Sequence, residues 1–428
     1  MRVTVDLRFE LFPWQRDAVN RWIGGDAHGL FRGTLEIFTG GGKTLIALAC
    51  WAEATRRRPG TRLAVVVPTE ALARQWRHAV AENTSSTPDE IGLLGAGEQD
   101  DFGGHNVLIS VINTAAKRLP ELARQAQPLM LVVDECHRAG APTFRRVLET
   151  PAEFRLGLSA TPDREEVDED GEPIEYDEHV LGRKLGEVVS RFSLADARRV
   201  GWLPDYEVHH HGVRLLPNEQ TEYSAISRRI DDVGDELSAL GGDTTRARAS
   251  VARSDRLGEV ARQYVSLTAR RKDLLYRATE RHRVTLRIVE TARRRKQRAH
   301  ILLFHERVAE AEALYEELAR QLGGAVGLEH SRLSDTRRAE TLQAFRDGQV
   351  TVLVSVKSLI EGIDVPAADV GVSVASSSSV RQRIQSLGRV LRREFDDDSS
   401  KLAEMHVLYV VETVDEGQIG RASCRERV

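Results

Sequence analysis

Two short stretches hold residue types that could bind and cleave a phosphoanhydride. The first is Thr39-Gly40-Gly41-Gly42-Lys43-Thr44, three glycines between the strand-like Leu35-Glu36-Ile37-Phe38 and a helical pattern that starts near Lys43. With no side chain in the way, successive backbone N–H groups can close around a triphosphate. The Lys43 ammonium then falls on the β and γ phosphates, and the Thr44 hydroxyl on a Mg²⁺ ion. The second stretch is Asp134-Glu135-Cys136-His137, directly after the apolar run Leu129-Met130-Leu131-Val132-Val133. Two carboxylates at the carboxyl end of a buried strand suit this chemistry: Asp134 would hold Mg²⁺ through water, and Glu135 would polarise the attacking water as general base. Cys136 and His137 are not read as metal ligands, because neighbours on a strand or turn point apart.

These loops need strands to hold them, and the sequence supplies short β-branched runs separated by helical patterns. Leu63–Val67, Val107–Val111, Leu129–Val133 and Leu156–Leu158 are apolar on both faces, which predicts buried parallel strands. The pattern restarts near residue 300 with Ile301-Leu302-Leu303-Phe304, a helix over Val308–Leu322 and a strand over Val350–Val354, predicting a second α/β lobe. Between the lobes, from about Leu215 to Arg298, helical spacing replaces strand signals. Arg262 to Arg298 carries 13 Lys or Arg against 3 Asp or Glu. Arginine forks onto phosphates, so this excess favours contact with a nucleic-acid backbone over a solvated connector. The acidic run from Glu165 to Glu178 reads as a solvated loop, and His209-His210-His211 as surface imidazoles on a strand-like segment.

A length of 428 residues suits two domains with material left over. The 61 Lys plus Arg nearly balance the 65 Asp plus Glu, so any basic surface must be local. Cys50, Cys136 and Cys424 form no CxxC or Cys/His spacing, the N-terminus lacks the apolar core of a signal peptide, and no apolar run reaches membrane-spanning length. The expected compartment is the cytoplasm. Residues 418–428 read as the translation of a common sequencing adapter and are set aside from the fold, with native sequence expected to continue past Gly417.

Seven further segments, in order along nearly the whole chain, make the sequence resemble the superfamily 2 helicases. Pro13-Trp14-Gln15 resembles the glutamine motif that recognises adenine, which assigns Gln15 to the base. Val67-Pro68-Thr69 and Val111-Ile112-Asn113-Thr114 resemble the motifs that hold the nucleic-acid backbone, through Pro68, Thr69 and Thr114. Leu158-Ser159-Ala160-Thr161-Pro162 resembles the motif linking hydrolysis to strand movement, a coupling role the resemblance assigns to Ser159 and Thr161 together with His137. Ile301-Leu302-Leu303-Phe304-His305 resembles the fourth motif, and Ile360–Pro366 the fifth, whose Gly362 and Asp364 are assigned to the nucleotide. Gln385–Arg392 resembles the sixth. There Gln385, Gly388, Arg389 and Arg392 share one helix face, and the resemblance makes Gln385 a catalytic residue and Arg389 and Arg392 arginine fingers. The wording Asp-Glu-Cys-His-Arg, Gly-Leu-Ser-Ala-Thr-Pro and Leu-Ile-Glu-Gly-Ile-Asp-Val-Pro is similar to the branch holding XPB-like, UvrB-like and restriction-type helicase subunits, and less similar to Asp-Glu-Ala-Asp RNA helicases. One departure stands out: Ile37 occupies the place of the leading glycine of the general phosphate-loop spacing.

The resemblance implies an α/β chain of two tandem RecA-like domains, parallel sheets flanked by helices, with a helical insertion between them. The boundaries expected are 1–210 for the first domain, 215–298 for the basic insertion and 299–417 for the second domain. It also implies ATP and Mg²⁺ as cofactors and DNA as partner, with nuclease or repair proteins as possible companions and no membrane. The activity it implies is ATP-driven movement along or remodelling of DNA. The alternatives are a restriction or anti-phage motor that translocates duplex without unwinding, an RNA helicase, and a non-enzymatic scaffold. The last is disfavoured because Lys43, Asp134, Glu135, Arg389 and Arg392 are all in place.

Overall fold

A computed structural model describes residues 5–95, 97–162, 174–202, 206–244, 247–356, 368–375 and 403–416. The chain divides into two compact units that part near residue 205.

In the first unit the described strands are β1 (Arg32–Ile37), β2 (Arg62–Val67), β3 (Ile91–Gly95), β4 (Glu98–Gln99), β5 (Val107–Val111), β6 (Leu129–Asp134), β7 (Phe154–Ser159) and β8 (Val188–Phe192). They form one sheet in the order β4-β3-β5-β2-β6-β7-β1-β8, parallel throughout except for the short β4, which turns back on β3. The central strands are apolar on both faces because helices cover both: α1 (Pro13–Gly24), α2 (Lys43–Arg57), α3 (Glu70–Asn83) and α4 (Ile112–Leu122) follow or precede them directly. Two short helices, α5 (Val180–Leu185) and α6 (Leu194–Arg199), flank β8. Trp22 and Trp51 are wholly buried, each with its indole N–H on a carbonyl, Arg155 O at 2.8 Å and Thr61 O at 3.0 Å.

In the second unit β9 (Tyr206–Val213) leads into α7 (Pro217–Ala239), α8 (Ala247–Ser250), α9 (Arg256–Tyr276) and α10 (Thr279–Arg295). Then come β10 (Ile301–His305), α11 (Val308–Leu322), β11 (Val326–Glu329), α12 (Asp335–Arg346), β12 (Val352–Val356), β13 (Val370–Ala375) and β14 (Ala403–Val410). The described strands make a parallel sheet ordered β11-β12-β10-β13-β14-β9. The fold is therefore the two-sheet α/β architecture that the alternating strands and helices imply.

Three sequence readings change. The first-lobe range 1–210 overruns its sheet, because Tyr206–Val213 pairs along its whole length with β14 of the second sheet. The second-domain boundary at 299 falls late: Ile288, Val289 and Ala292 of α10 already pack in one core with Ile301, Val352 and Val372, whereas Val233, Leu237, Ala247, Val260 and Ala261 of α7, α8 and α9 form a core of their own in the helical insertion. Finally, part of the arginine excess is met by carboxylates from outside the run: Arg270 pairs with Glu222, Arg295 with Glu404 and Lys296 with Asp369, while Arg283–Glu280 and Arg294–Glu290 pair within it. Arg281 is not on the surface at all, at 1% exposure. Only the end of the acidic run is described, and there Tyr176 is buried with its hydroxyl 2.7 Å from Thr34 Oγ1. Among the described residues no helix is long and apolar enough to cross a membrane.

Candidate functional site

The carboxyl ends of five adjacent strands of the first sheet deliver the predicted residues in a row. Along β5-β2-β6-β7-β1 they are Thr114 at the start of α4, Thr69 before α3, Asp134 and Glu135 after β6, Ser159 ending β7, and the glycine loop after β1. Side chains outside the carboxyl ends of parallel strands, where loops meet helix N-termini, are in the usual place for a ligand of an α/β sheet.

The loop is shaped by glycine where no other residue fits. Gly40 and Gly42 have φ of 97° and 72°, and Gly42 is the N-cap of α2 in a left-handed conformation. A Cβ on Gly41 would stand 2.6 Å from Ile37 Cγ2, and one on Gly42 2.7 Å from Gln15 Nε2. Ile37, the departure from the general spacing, thus packs beneath the loop it precedes. Gln15 is 2% exposed, and its Nε2 donates to Gly41 O at 3.2 Å while its Oε1 accepts from Phe12 N at 3.1 Å. It is built into the loop's support. Lys43 Nζ donates to Ile37 O at 3.2 Å, and the buried Thr39 Oγ1 has no hydrogen-bond partner among the described residues. That unpartnered hydroxyl, the cradle that a Cβ would fill and the adjoining lysine together fit a polyphosphate with its metal.

Asp134 is 7% exposed and held at both oxygens: Oδ1 accepts from Glu135 N and Oδ2 from Trp76 Nε1, each at 2.9 Å. Burial pushes its carboxyl above the ordinary aspartate range, and the Lys43 charge, the Trp76 indole and the Glu135 N–H pull it back. A buried carboxylate facing a lysine suits cation binding. Glu135 adopts φ 47°, ψ 51°, a left-handed conformation rare for glutamate and often found where backbone strain serves a site. From it runs a continuous polar chain. Glu135 Oε2 is 3.4 Å from His137 Nδ1, His137 Nδ1 is 3.3 Å from Ser159 Oγ, and Ser159 Oγ accepts from Thr161 N at 3.1 Å. The three residues assigned to coupling therefore sit in one line of polar contacts beside the glutamate, with His137 Nδ1 shared between Glu135 and Ser159.

Pro68 is buried, and Thr69 caps α3 by accepting from Leu72 N at 3.3 Å. Thr114 lies in the first turn of α4, beside Gly95, whose φ of 102° lets the end of β3 approach it. Gly362, Asp364, Gln385, Arg389 and Arg392 lie outside the described residues. So does the helix that would carry the last three. His305, at the end of the fourth-motif strand β10, is buried and accepts at Nδ1 from Arg307 N at 3.0 Å.

Two features escaped the sequence reading. Trp76 was one position of an ordinary apolar stripe with Ala73 and Val80; an indole N–H in a core needs an acceptor, which is the signal that could have marked it. The second is an aromatic group beside Gln15: Trp14 stacks on Phe192 with ring centroids 3.9 Å apart, and Trp202 sits edge-on to it at 5.9 Å. Elsewhere, His211 Nε2 on the edge strand β9 lies 2.9 Å from His406 Nδ1 on its neighbour β14, so that imidazole is half-buried rather than a free surface group. No group of three metal-ligating side chains converges among the described residues.

Residues 8–164 match the family described as type III restriction enzyme, res subunit, and residues 282–394 match the helicase conserved C-terminal domain. The chain is 28% identical to the DNA 3'-5' helicase XPB of Kineococcus radiotolerans, over 91% of this chain and 58% of that protein. To the DNA 3'-5' translocase XPB2 of Sulfurisphaera tokodaii it is 24% identical, over 90% of this chain and 80% of the other. A relative in Haloarcula marismortui, named for Rad25, is 28% identical over 98% of this chain and 55% of its own length. The chain thus spans about half the length of several relatives it matches. The crystal structure of the Pyrococcus furiosus Hef helicase domain shares the fold, with a TM-score of 0.58 at 17% identity, covering 96% of this chain and 97% of that one.

Proposed function

The chain belongs to superfamily 2 of the helicases, in the XPB-like and restriction-type branch, and from that premise we propose that it is an ATP-dependent DNA helicase or translocase. The observation that carries the reading is the row at the carboxyl edge of the first sheet. There the glycine loop, Ser159 and the Asp134-Glu135 pair occupy the ends of β1, β7 and β6, side by side.

In this reading the N–H groups of Gly40, Gly41 and Gly42 receive the phosphates, and Lys43 leaves Ile37 O for the β and γ oxygens. Thr44 and Asp134 would hold Mg²⁺, which neutralises charge on the β and γ phosphates when bound. Gln15 supports the loop from below and faces the adenine side. Glu135 orients the attacking water and takes its proton. As that proton arrives, the charge on Glu135 changes beside His137, and the contacts from His137 to Ser159 and Thr161 pass the change to the segment that follows β7. Gln385, Arg389 and Arg392 are assigned to the γ-phosphoryl group, with Gly362 and Asp364 contributing to the nucleotide. Pro68, Thr69 and Thr114 hold the backbone of DNA at the N-termini of α3 and α4, where helix dipoles favour phosphate. Contacts of this kind read sugar and phosphate, so binding should be salt-dependent and nearly indifferent to sequence.

The test is ATP turnover with duplex DNA, single-stranded DNA, structured RNA and no nucleic acid. Stimulation by DNA, absent in Lys43→Ala, is expected; equal rates in all four conditions sink the reading, and stimulation by RNA alone moves it to RNA. The match to a restriction subunit favours one second reading, a duplex translocase serving a nuclease partner. It predicts displacement of a triplex-forming strand from duplex DNA without separation of the duplex.

A further inference from the structure

α3 starts at the candidate DNA contact and passes the candidate metal ligand two turns later. Its N-cap is Thr69, and Trp76, seven residues on, lies about 10 Å further along the axis at 1.5 Å per residue. There the indole N–H donates to Asp134 Oδ2 at 2.9 Å. Both groups are buried, Trp76 at 1% exposure and Asp134 at 7%. The other oxygen of Asp134 is held by the N–H of the next residue in its own chain. Trp76 is thus the contact by which a different element, 58 residues away in sequence, sets the direction of this carboxylate. The rest of the indole has no freedom to follow anything but its helix, since Ala73, Trp76 and Val80 form the buried stripe of α3. A shift or tightening of α3 therefore reaches Asp134 through one hydrogen bond.

We propose that Trp76 is a positioning residue that couples occupancy of the DNA site at the start of α3 to the grip of Asp134 on the metal of the nucleotide. The inference rests on the functional reading above and adds to it a route, separate from the Glu135–His137–Ser159–Thr161 path, by which DNA and nucleotide sense each other. Coupling of this kind is reciprocal: DNA should sharpen the response to Mg²⁺, and Mg²⁺ with ATP should tighten DNA.

The experiment measures ATP turnover of the full chain against Mg²⁺ concentration, with and without saturating duplex DNA. Apart from turnover, it measures the affinity for duplex DNA with and without Mg²⁺ and a non-hydrolysable ATP analogue, which should tighten in wild type and not in Trp76→Phe. In Trp76→Phe, which keeps an aromatic ring but loses the N–H, the Mg²⁺ needed for half-maximal turnover with DNA should rise about fivefold or more, and stimulation by DNA should fall by a similar factor. Circular dichroism and melting temperature check the fold. If Trp76→Phe does not fold, 3-benzothienylalanine at position 76 replaces the N–H by sulphur within the same ring outline and decides the question. Thr69→Ala provides a readout that a merely structural tryptophan would not move. If both residues act on one route, the Thr69→Ala/Trp76→Phe double variant retains the stimulation of the weaker single variant. Unchanged Mg²⁺ dependence and stimulation in folded Trp76→Phe, or losses that multiply in the double variant, overturn the coupling alone. A wild-type ATPase indifferent to DNA sinks the functional reading and the coupling together.

Discussion

Buried polar side chains are used differently in the two units. In the first, Gln15, Asp134, His137 and Ser159 are all less than a tenth exposed, yet they line up along one open edge of the sheet. Gln15 donates to Gly41 O of the glycine loop, Asp134 accepts from Trp76, and His137 meets Ser159, whose hydroxyl accepts from Thr161 N. In the second unit buried charge closes on itself. Arg281 donates to Leu275 O, Val374 O and Leu408 O at 2.9, 2.5 and 2.7 Å and pairs with Asp415, tying α9, β13, β14 and the turn after β14 to α10. Glu329 likewise accepts from Arg338 and from Ser355 at 2.8 and 3.0 Å. Buried polar atoms without a hydrogen bond occur in both units, so the difference lies in placement: polar groups aligned at strand ends beside a glycine loop make a reactive edge, and a guanidinium whose donors are absorbed by backbone carbonyls makes a clamp. Polar substitutions in the first unit should therefore cost turnover with the fold kept, and those in the second should cost the fold.

The sharpest break of that contrast would come from Lys43→Ala and Glu135→Gln. Each removes charge stabilisation or base chemistry, so ATP turnover should drop on the order of a hundredfold or more. Melting temperature should stay near wild type; a matching loss of stability would show that these residues are fold clamps too. Next comes Arg281→Met, which leaves three carbonyls and Asp415 without their shared donor. Breaking a buried pair in this way costs about 3–5 kcal/mol. Denaturant unfolding should detect it in the second unit's transition, and a neutral result would remove the distinction.

His305 gives a smaller effect with a defined sign. Burial first, and the nearby Arg281 charge second, push its pKa from 6.5 down to about 3. Its folded pKa is depressed, so the unfolded chain binds a proton that the folded chain refuses throughout that window. Stability is complete above the unfolded value and falls as pH drops from 6.5 towards 3, by up to about 1.4 kcal/mol for each pH unit. Urea midpoints at pH 7 and pH 5 check this: the drop should be larger for wild type than for His305→Gln.

The first lobe was legible because its signals are local. Leu63–Val67 and Val107–Val111 are buried on both faces, so their composition alone declares them, and the strands run Arg62–Val67 and Val107–Val111. β9 and β14 were missed as a pair. Tyr206–Val213 is an edge strand with polar groups on a solvated face, and its partner lies almost two hundred residues later, where no window of sequence can see it. The site divides in the same way. Gly42-Lys43-Thr44 and Asp134-Glu135 are each spelled in consecutive residues, whereas Trp76 takes its meaning from Asp134, and Arg281 was read as one more surface arginine because three of its four acceptors are 93 to 134 residues away. Composition cannot tell a guanidinium that faces DNA from one that stitches a sheet.

The finest probe of the contrast is Gly42→Ala, because it asks whether the open edge is also preorganised. At φ 72° and ψ 31° a left-handed alanine costs roughly 1–2 kcal/mol. The new Cβ would also stand 2.7 Å from Gln15 Nε2, whose bond to Gly41 O must then lengthen. The strain falls on a loop at the surface of the unit, so it should appear less as lost stability than as weaker nucleotide binding. A fluorescent ATP analogue titrated against the variant should bind about tenfold or more weakly, the equivalent of 1.4 kcal/mol. If melting temperature fell while affinity held, the loop would be serving the fold as Arg281 does, and placement at the strand ends would no longer identify the reactive edge.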